Sequence, residues 1–220
     1  MKISLRDRQS CVKNQSDRPT CAVFSATAFH EYQLEISIGC KSHCNLDLSE
    51  EFLYYHCKKH DGLGLGRSGT TLAAASASLS RHGQCVEHLH PYRLSNAAVP
   101  LVSPSPSAIT DAKTRLYSKL MPLRMGRTVM EDCLLHGRPL IAVADWYSNS
   151  YLAPNGAIGM PTGADRHLGR HAVLIVEVYD ELPDRYQIGF KNSWGAKWGD
   201  RGFGSFGLNY FEAYCRELWA

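Results

Sequence analysis

The chain has 220 residues, of which 44% are hydrophobic, and its 24 Lys and Arg exceed its 21 Asp and Glu by a formal net charge of +3. This length falls between one and two average domains and suffices to bury roughly seven-tenths of the chain's surface. The net charge is too small to indicate nucleic acid as a partner, and no apolar run approaches the length of a membrane span. We therefore expect neither nucleic acid nor membrane as a partner.

The first predicted helix begins next to a cysteine. Residues 22–34 contain no Gly or Pro and are rich in helix formers, and Pro19 lies just before them, where a helix would begin. Cys21 would therefore occupy the first turn, at the positive end of the helix dipole. Since a thiol attacks only after it has lost its proton, this position favours Cys21 as a nucleophile.

The rest of the N-terminal half is predicted to be helical. Ser49 caps a helix with an acidic first turn, and Thr70 or Thr71 opens a second helix that stops at Gly83. Residues 95–110 are rich in Pro and Ser and lack periodicity, so we interpret them as a connector without a packed core.

The C-terminal half is predicted to be mostly sheet. Thr128 and Glu131 have the spacing of a capping box at the start of a short helix, and a strand follows over residues 140–146. Residues 147–170 contain several Gly and Pro and run straight into the next predicted strand. A segment of that length in that place is predicted to wall or cover a cleft.

A hairpin supplies a candidate partner for the thiol. Residues 171–179 and 185–191 are rich in β-branched and aromatic side chains and flank a turn, which predicts two antiparallel strands. Counting outward from a turn centred near residue 182 places His171 beside Asn192. An Asn side-chain oxygen that accepts from an imidazole would fix the ring's orientation and tautomer, leaving the other ring nitrogen to face a thiol.

These motifs, in this order, resemble the papain-like cysteine peptidases, the cathepsin-type C1 family. The separation of 150 residues between Cys21 and His171 falls in the range of papain-type enzymes. Seven segments match the family's motifs in order along the chain: residues 12–15 (VKNQ), 21–26 (CAVFSA), 48–51 (LSEE), 68–69 (SG), 90–92 (HPY), 137–143 (GRPLIAV) and 190–200 (FKNSWGAKWGD). Their colinearity is more specific than any single motif.

The resemblance implies an α+β fold of two lobes in a single peptidase domain over residues 1–220. The expected lobes are helical over about residues 15–95 and an antiparallel, barrel-like sheet over about residues 111–220, with the active site in the cleft between them. The implied activity is that of a cysteine endopeptidase, a thiol protease that hydrolyses a peptide or protein substrate through a thioester acyl-enzyme, with no cofactor and no metal.

Carried over by position, the resemblance implies Cys21 as nucleophile, His171 as base and later acid, and Asn192 as the residue that orients the imidazole. Gln15 would donate its side-chain amide to the oxyanion, beside the backbone N–H of Cys21. Trp194 resembles the family Trp that covers the Asn–His hydrogen bond. The residues implied to contact substrate form a mid-sized, largely apolar set: Ser68, Gly69, Thr70, Thr71, Val143, Gly169, Ala172 and Trp194.

Three positions depart from the family pattern. Arg18 stands where the family has a Cys, so the family's first disulfide cannot form as usual, and Ala22 replaces a Trp. Arg170 places a positive charge next to His171, where it could lower the imidazole pKa or repel basic substrate residues. Ala22 and Arg170 support an alternative, a catalytically silent peptide-binding protein, which the intact Cys, His, Asn and Gln set opposes. A peptide ligase or acyltransferase that uses the same acyl-enzyme is a second alternative.

The eight cysteines do not fit the family's usual disulfides, and reduced thiols in a cytoplasm are the simplest account. Cys40, Cys44, Cys57 and His60 have the ligand types of a structural zinc site, which makes a zinc-stapled interaction domain a third alternative.

The N-terminus suggests where the chain is made and how it is restrained. Residues 1–8 lack the apolar core of a signal peptide, so we expect cytoplasmic synthesis. The 20 residues before the nucleophile leave no room for the family's N-terminal pro-segment. We therefore expect restraint by an inhibitory partner protein, by a lid, or by export as a toxin-like effector.

Overall fold

The computed structural model describes residues 2–39, 46–63, 67–94, 101–180 and 186–220. The helices in these ranges are α1 (Cys21–Ser37), α2 (Glu50–His60), α3 (Leu72–His82), α4 (Pro106–Ala112), α5 (Arg127–Leu135) and α6 (Leu208–Tyr214). The strands are β1 (Lys2–Ser4), β2 (Pro122–Leu123), β3 (Leu140–Tyr147), β4 (Ala157–Ile158), β5 (His167–Asp180), β6 (Tyr186–Lys191), β7 (Phe203–Gly207) and β8 (Cys215–Trp219). None of the described helices is both long enough and apolar enough to cross a bilayer.

Helix α1 lies at the centre of the molecule, packed against α2 and α3 on one side and against β3 and β5 on the other. Val23, Ala26 and Phe29 are fully buried along it. Small side chains let the neighbouring elements approach α1 closely, and the absence of Gly and Pro lets it run unbroken. The helix therefore holds its first residue, Cys21, at the boundary between helices and sheet.

Two predicted helix caps are confirmed. The Ser49 hydroxyl accepts a hydrogen bond from the backbone N–H of Phe52 at 2.9 Å, at the start of α2. The Thr71 hydroxyl accepts from the N–H of Ala74 at 3.1 Å, at the start of α3. Gly83 ends α3 with φ +68°, a left-handed conformation that favours glycine.

The sheet is mixed and open rather than barrel-like. Its strands follow the order β2-β8-β3-β5-β6-β7-β4, with β1 paired to β5. Only the β4–β7 pair is parallel among the described strands. Among the described residues, the edge strands β2 and β4 do not pair with each other, so the expected barrel is wrong. Each edge strand is only two residues long and offers little backbone with which to close the sheet.

Part of the predicted connector is helical. Residues 106–110 belong to α4, whose start is capped by the Ser105 hydroxyl, accepting from the N–H of Ala108 at 3.2 Å, with Pro106 in the first turn. Ala108 is fully buried in a small cluster with Phe52. A serine followed by proline is common both in connectors and at the start of a helix. Here the segment is helical, and the helix buries Ala108 and Ala112. The lobe boundaries stay a prediction.

The predicted capping box at Thr128 is wrong. Helix α5 begins at Arg127 after Gly126, with no side-chain cap. Glu131 instead accepts hydrogen bonds from the Arg127 guanidinium and from the Tyr186 hydroxyl, both at 2.8 Å. The Glu131 carboxylate therefore binds Tyr186 of β6, whereas the capping-box pattern predicted that it would bind the backbone at the start of the helix.

The predicted hairpin forms, with a displaced register. Strand β5 pairs with β6 through Leu174 opposite Lys191, and the pairing does not continue to His171. His171 lies instead opposite Ala144 of β3. A bulge between Ile175 and residue 177 shifts the two strands, which counting outward from a turn cannot anticipate.

Candidate active site

Cys21 is the first residue of α1, with Thr20 at the N-cap, as predicted. At this position its backbone N–H has no acceptor within the helix and is free to bind a ligand. Burial opposes ionisation of the thiol, but the charge and hydrogen bond of the His171 imidazole outweigh it. Hydrogen bonds from the backbone N–H groups of Ala172 and Ala22 add to this effect, and the pKa of the Cys21 thiol is lowered.

His171 is buried on β5 and is held by Asn192. The His171 Nε2–H donates to Asn192 Oδ1 at 2.8 Å, and the backbone N–H of Ser193 donates to the same oxygen at 2.8 Å. Because Asn192 Oδ1 can only accept, Nε2 carries the hydrogen and Nδ1 is the nitrogen left for the Cys21 thiol. The two side chains therefore meet as predicted, although their strands do not pair them.

Aromatic rings surround the His171–Asn192 hydrogen bond. The Trp194 ring centroid lies 5.1 Å from that of His171, and the Trp146 centroid lies 4.8 Å from it. Tyr151 stacks on Trp194 at 5.2 Å with an interplanar angle of 19°, and Trp198 meets Trp194 edge-on at 5.4 Å. These rings keep water from the imidazole, which strengthens its hydrogen bond.

Gln15 is buried beside the thiol. Its side-chain oxygen accepts from the Ser193 hydroxyl at 2.5 Å, and its amide nitrogen donates to the Arg18 carbonyl at 2.7 Å. An amide NH₂ group has two hydrogens, so one remains for a ligand in the cleft. Both the oxygen and the nitrogen of the Gln15 side-chain amide are thus held by hydrogen bonds, and one N–H remains available as a donor.

An open cleft contains these groups, with a free volume of about 1370 Å³ that includes the solvent at its mouth. Its walls come from the loop before α1, from β5 and from the segment after β6. The lining residues are Asn14, Gln15, Ser16, Asp17, Arg18, Pro19, Cys21, Trp146, Tyr151, Leu168, Gly169, Arg170, His171, Trp194 and Trp198.

The residues implied to contact substrate do not all lie in this cleft. Gly169 and Trp194 line it, whereas six others do not: Ser68, Gly69, Thr70, Thr71, Val143 and Ala172.

Thr71 caps α3, and three more of those six have identifiable surroundings. Val143 and Ala172 face each other across β3 and β5, and Gly69 approaches the Pro19 carbonyl from the helical side. Of the three, Ala172 lies beside the nucleophile, with its backbone N–H directed at the Cys21 thiol. Contact of all six residues with substrate stays a prediction.

Arg170 projects mostly into solvent, with a side chain 60% exposed. Its guanidinium lies 3.8 Å from the Asp145 carboxylate and 3.9 Å from that of Glu217. The positive charge beside His171 is therefore offset by two carboxylates.

Of the four predicted zinc ligands, the structure describes Cys57 and His60. Cys40 and Cys44 lie outside the described residues. Burial raises the pKa of the Cys57 thiol to about 12, while His60 is exposed with its Nε2 3.4 Å from that of His82. Within the described ranges, no three His, Cys, Asp or Glu side chains form a group that could hold a metal. The six described cysteines are unpaired.

Three aromatic residues of the site, Trp146, Tyr151 and Trp198, were not predicted individually. Trp146 appeared only as the end of a strand, and nothing in its local pattern indicates contact with His171. Tyr151 falls in residues 147–170, which were predicted to wall a cleft without any residue being singled out. The first contact depends on β3 lying beside β5, and the second on how the segment after β3 packs against the segment after β6. Local spacing supplies neither kind of information.

The two-lobe arrangement, with a thiol at a helix N-terminus facing an imidazole held by an amide, is that of a cysteine peptidase. The sequence profile of the papain family of cysteine proteases matches residues 2–215, and the chain belongs to this family. A peptidase C1-like protein of Acanthamoeba polyphaga mimivirus, itself uncharacterised, is 26% identical over 187 residues. The match covers 78% of this chain, and the chain spans 57% of the length of that relative.

Solved structures show the same fold. Xylellain, a cysteine protease of Xylella fastidiosa, superposes with a TM-score of 0.83 at 24% identity, covering 99% of this chain and 84% of that one. Digestive procathepsin L 3 of Tenebrio molitor gives 0.77 at 21% identity, covering 99% and 68%. The bromelain protease of Ananas comosus, solved with the E64 inhibitor, gives 0.71 at 21% identity, covering 99% and 96%. The papain-like fold predicted from the sequence is confirmed.

Proposed function

We propose that this chain is a cysteine endopeptidase that hydrolyses peptide bonds through a thioester on Cys21. The observation that carries the proposal is the 2.8 Å hydrogen bond that orients His171 on Asn192, with the Cys21 thiol in the same cleft and its pKa lowered by that imidazole. A protein that only binds peptides has no need of a thiol whose pKa is lowered by an oriented imidazole.

In the proposed acylation step, the Cys21 thiolate attacks the carbonyl carbon of the scissile peptide bond. A bond forms between sulfur and carbon, and the carbonyl electron pair moves to oxygen. The free amide hydrogen of Gln15 and the backbone N–H of Cys21 donate to that oxyanion. As the C–N bond breaks, the His171 imidazolium gives its Nδ1 proton to the leaving amine, which departs neutral and leaves a thioester.

Deacylation reverses the role of the imidazole. Neutral His171 takes a proton from water at Nδ1, and the oxygen of that water attacks the thioester carbonyl. The same two donors hold the second oxyanion. The C–S bond then breaks, the carboxylic acid leaves, and the proton on His171 restores the thiolate–imidazolium pair. Asn192 keeps Nε2 hydrogen-bonded throughout, so Nδ1 is the only ring nitrogen that exchanges protons in this scheme.

The proposal is tested by cleavage of a mixed fluorogenic peptide library. Wild-type protein and the Cys11→Ser control, which removes an exposed thiol, should release fluorophore at equal rates. Cys21→Ser and His171→Ala should reduce the rate by at least about a thousandfold, since removing one member of such a triad leaves only residual catalysis. Absence of cleavage by wild-type protein, or cleavage that persists in Cys21→Ser, would contradict the proposal.

Product analysis separates hydrolysis from acyl transfer, because both reactions share the acyl-enzyme. With an added amine nucleophile, a hydrolase yields mainly the free acid and an acyltransferase mainly the new amide. Dominant amide at low amine concentration would favour the ligase. The cleft is open, which admits water to the thioester and supports hydrolysis.

A further inference from the structure

The loop before the nucleophile, residues 15–20, is anchored to α2 by a buried ion pair. One Arg18 guanidinium nitrogen donates to Glu51 Oε2 at 2.5 Å and the other donates to Oε1 at 3.1 Å, a bidentate contact. The Arg18 side chain is 12% exposed and that of Glu51 is 4% exposed. Such a pair is geometrically specific and is not a solvated surface contact.

Further contacts fix the guanidinium in place. Its carbon lies 4.6 Å from the centroid of the Tyr92 ring and 5.2 Å from that of Tyr54. It also donates to the Arg93 carbonyl at 2.6 Å, and the Arg93 N–H donates back to Glu51 Oε2 at 3.2 Å. Arg18 thus ties two separate segments, α2 and residues 92–93, to the loop.

The main chain of Arg18 faces the active site. Its carbonyl accepts from the Gln15 amide at 2.7 Å and from the N–H of Thr20, the N-cap of α1, at 2.8 Å. The Tyr92 hydroxyl donates to the Gln15 carbonyl at 2.9 Å and lies 2.7 Å from the Thr20 hydroxyl. A shift of Arg18 would therefore move the Gln15 amide, whereas the start of α1 keeps its contact with the Tyr92 hydroxyl through Thr20.

We propose that Arg18, through its ion pair with Glu51, is a positioning residue that holds the Gln15 amide where it meets the oxyanion. This inference rests on the proposed peptidase function. The Arg18 side chain fixes the loop to α2, and the Arg18 carbonyl takes one amide hydrogen of Gln15, so the other is directed toward the cleft. Position 18 departs from the family pattern, and the structure gives it an ionic anchor.

The test uses Arg18→Gln and Glu51→Gln, with the exposed Arg124→Gln as control. Either variant should lower kcat by about 10- to 100-fold, the order expected when a catalytic donor is misplaced by about an ångström. KM should stay within about twofold, since the donor acts on the transition state. Iodoacetamide labelling of Cys21 should keep the wild-type rate, because alkylation forms no oxyanion. Arg18→Lys keeps the charge and loses the bidentate contact, so its kcat should lie between those of wild type and Arg18→Gln.

A double variant tests whether Arg18 acts through Gln15. Gln15→Ala should lower kcat by about 100- to 1000-fold as one oxyanion donor is lost. Adding Arg18→Gln to Gln15→Ala should change kcat by less than about twofold, because both changes remove the same interaction. Fully additive losses would overturn the inference.

Other outcomes have distinct meanings. Slower iodoacetamide labelling in parallel with kcat would show a general structural role for Arg18 and overturn the inference, as would an unchanged kcat in the folded variants. Glu51→Gln and Arg18→Lys are isosteric or charge-conserving, so they keep the test valid where Arg18→Gln does not fold. If wild-type protein cleaves no peptide, the proposed function fails and this inference with it. If wild type cleaves and the variants match it, only this inference fails.

Discussion

His171 and Asn192 are joined by a 2.8 Å side-chain hydrogen bond even though the β5–β6 pairing stops short of His171. The bond fixes the imidazole with its hydrogen on Nε2 and directs Nδ1 to the Cys21 thiol. Its strength depends on the buried surroundings, because burial removes competition from water.

Asn192→Ala is expected to lower kcat by about 10- to 100-fold with little change in KM, since the imidazole loses the acceptor that orients it. Steady-state kinetics on a peptide substrate measures both constants. Asn209→Ala, at an exposed position on α6, is the control and should match wild type. Equal kcat for Asn192→Ala and wild type would show that the ring is held without its amide partner.

Trp194→Ala is expected to expose the His171 Nε2–H to water, because the indole lies over the ring at 5.1 Å between centroids. In wild-type protein the Nε2–H should give a slowly exchanging proton signal far downfield in the NMR spectrum. The variant should lose that signal through exchange and lose about tenfold in kcat as the hydrogen bond weakens. A signal that persists unchanged would mean that Trp146 alone shields the bond.

Lys13→Met is expected to destabilise the protein by about 3–5 kcal/mol, because it leaves buried carboxylates without their cation. Lys13 Nζ lies 3.0 Å from both the Glu31 and the Glu50 carboxylate, and both acids are buried. Denaturation in urea measures the free energy of unfolding, with the exposed Lys113→Met as control. A loss below about 1 kcal/mol would show that these carboxylates are protonated in the folded protein.

Stability should fall in acid because of His30 and His56. Burial lowers the pKa of His30 to about 4 and that of His56 to about 3. Neighbouring cationic groups, His82 foremost, act in the same direction on His56. Since both pKa values lie below the ordinary value of about 6.5, the unfolded chain binds protons first as pH falls.

The free energy of unfolding is therefore fully retained above about pH 6.5 and declines toward about pH 4, by about 1.4 kcal/mol per pH unit for each histidine. His56→Phe should remove about half of that slope. Both His56 ring nitrogens are buried without a hydrogen-bond partner among the described residues, and the ring centroid lies 4.7 Å from that of Phe52. Urea denaturation at a series of pH values measures the slope. An identical slope in His56→Phe would show that other groups govern acid unfolding.

Local chemistry made some of the structure predictable. The Ser49 and Thr71 caps, the glycine stop at residue 83 and the helix start at Cys21 each depend on a few adjacent residues, and each is confirmed. The papain-like fold followed from motifs that keep their order along the whole chain.

Features that depend on distant partners were missed. The β5–β6 register depends on a bulge, and the surroundings of Glu131 depend on Tyr186 of another element. The packing of Trp146 on His171 and the bidentate pair of Arg18 with Glu51 join residues far apart in sequence. Residue spacing carries no signal for such contacts, and for the same reason the implied substrate pocket stays a prediction.

The central claim is that Cys21 is a thiolate activated by His171, and its most direct test is the rate of iodoacetamide labelling against pH. Peptide mass spectrometry follows Cys21 and, as a reference in the same molecule, the exposed Cys11. We predict fast labelling of Cys21 well below the ordinary thiol pKa of about 8.5, lost in His171→Ala. Labelling of Cys21 that rises only near pH 8.5, and is the same in His171→Ala, would contradict the account.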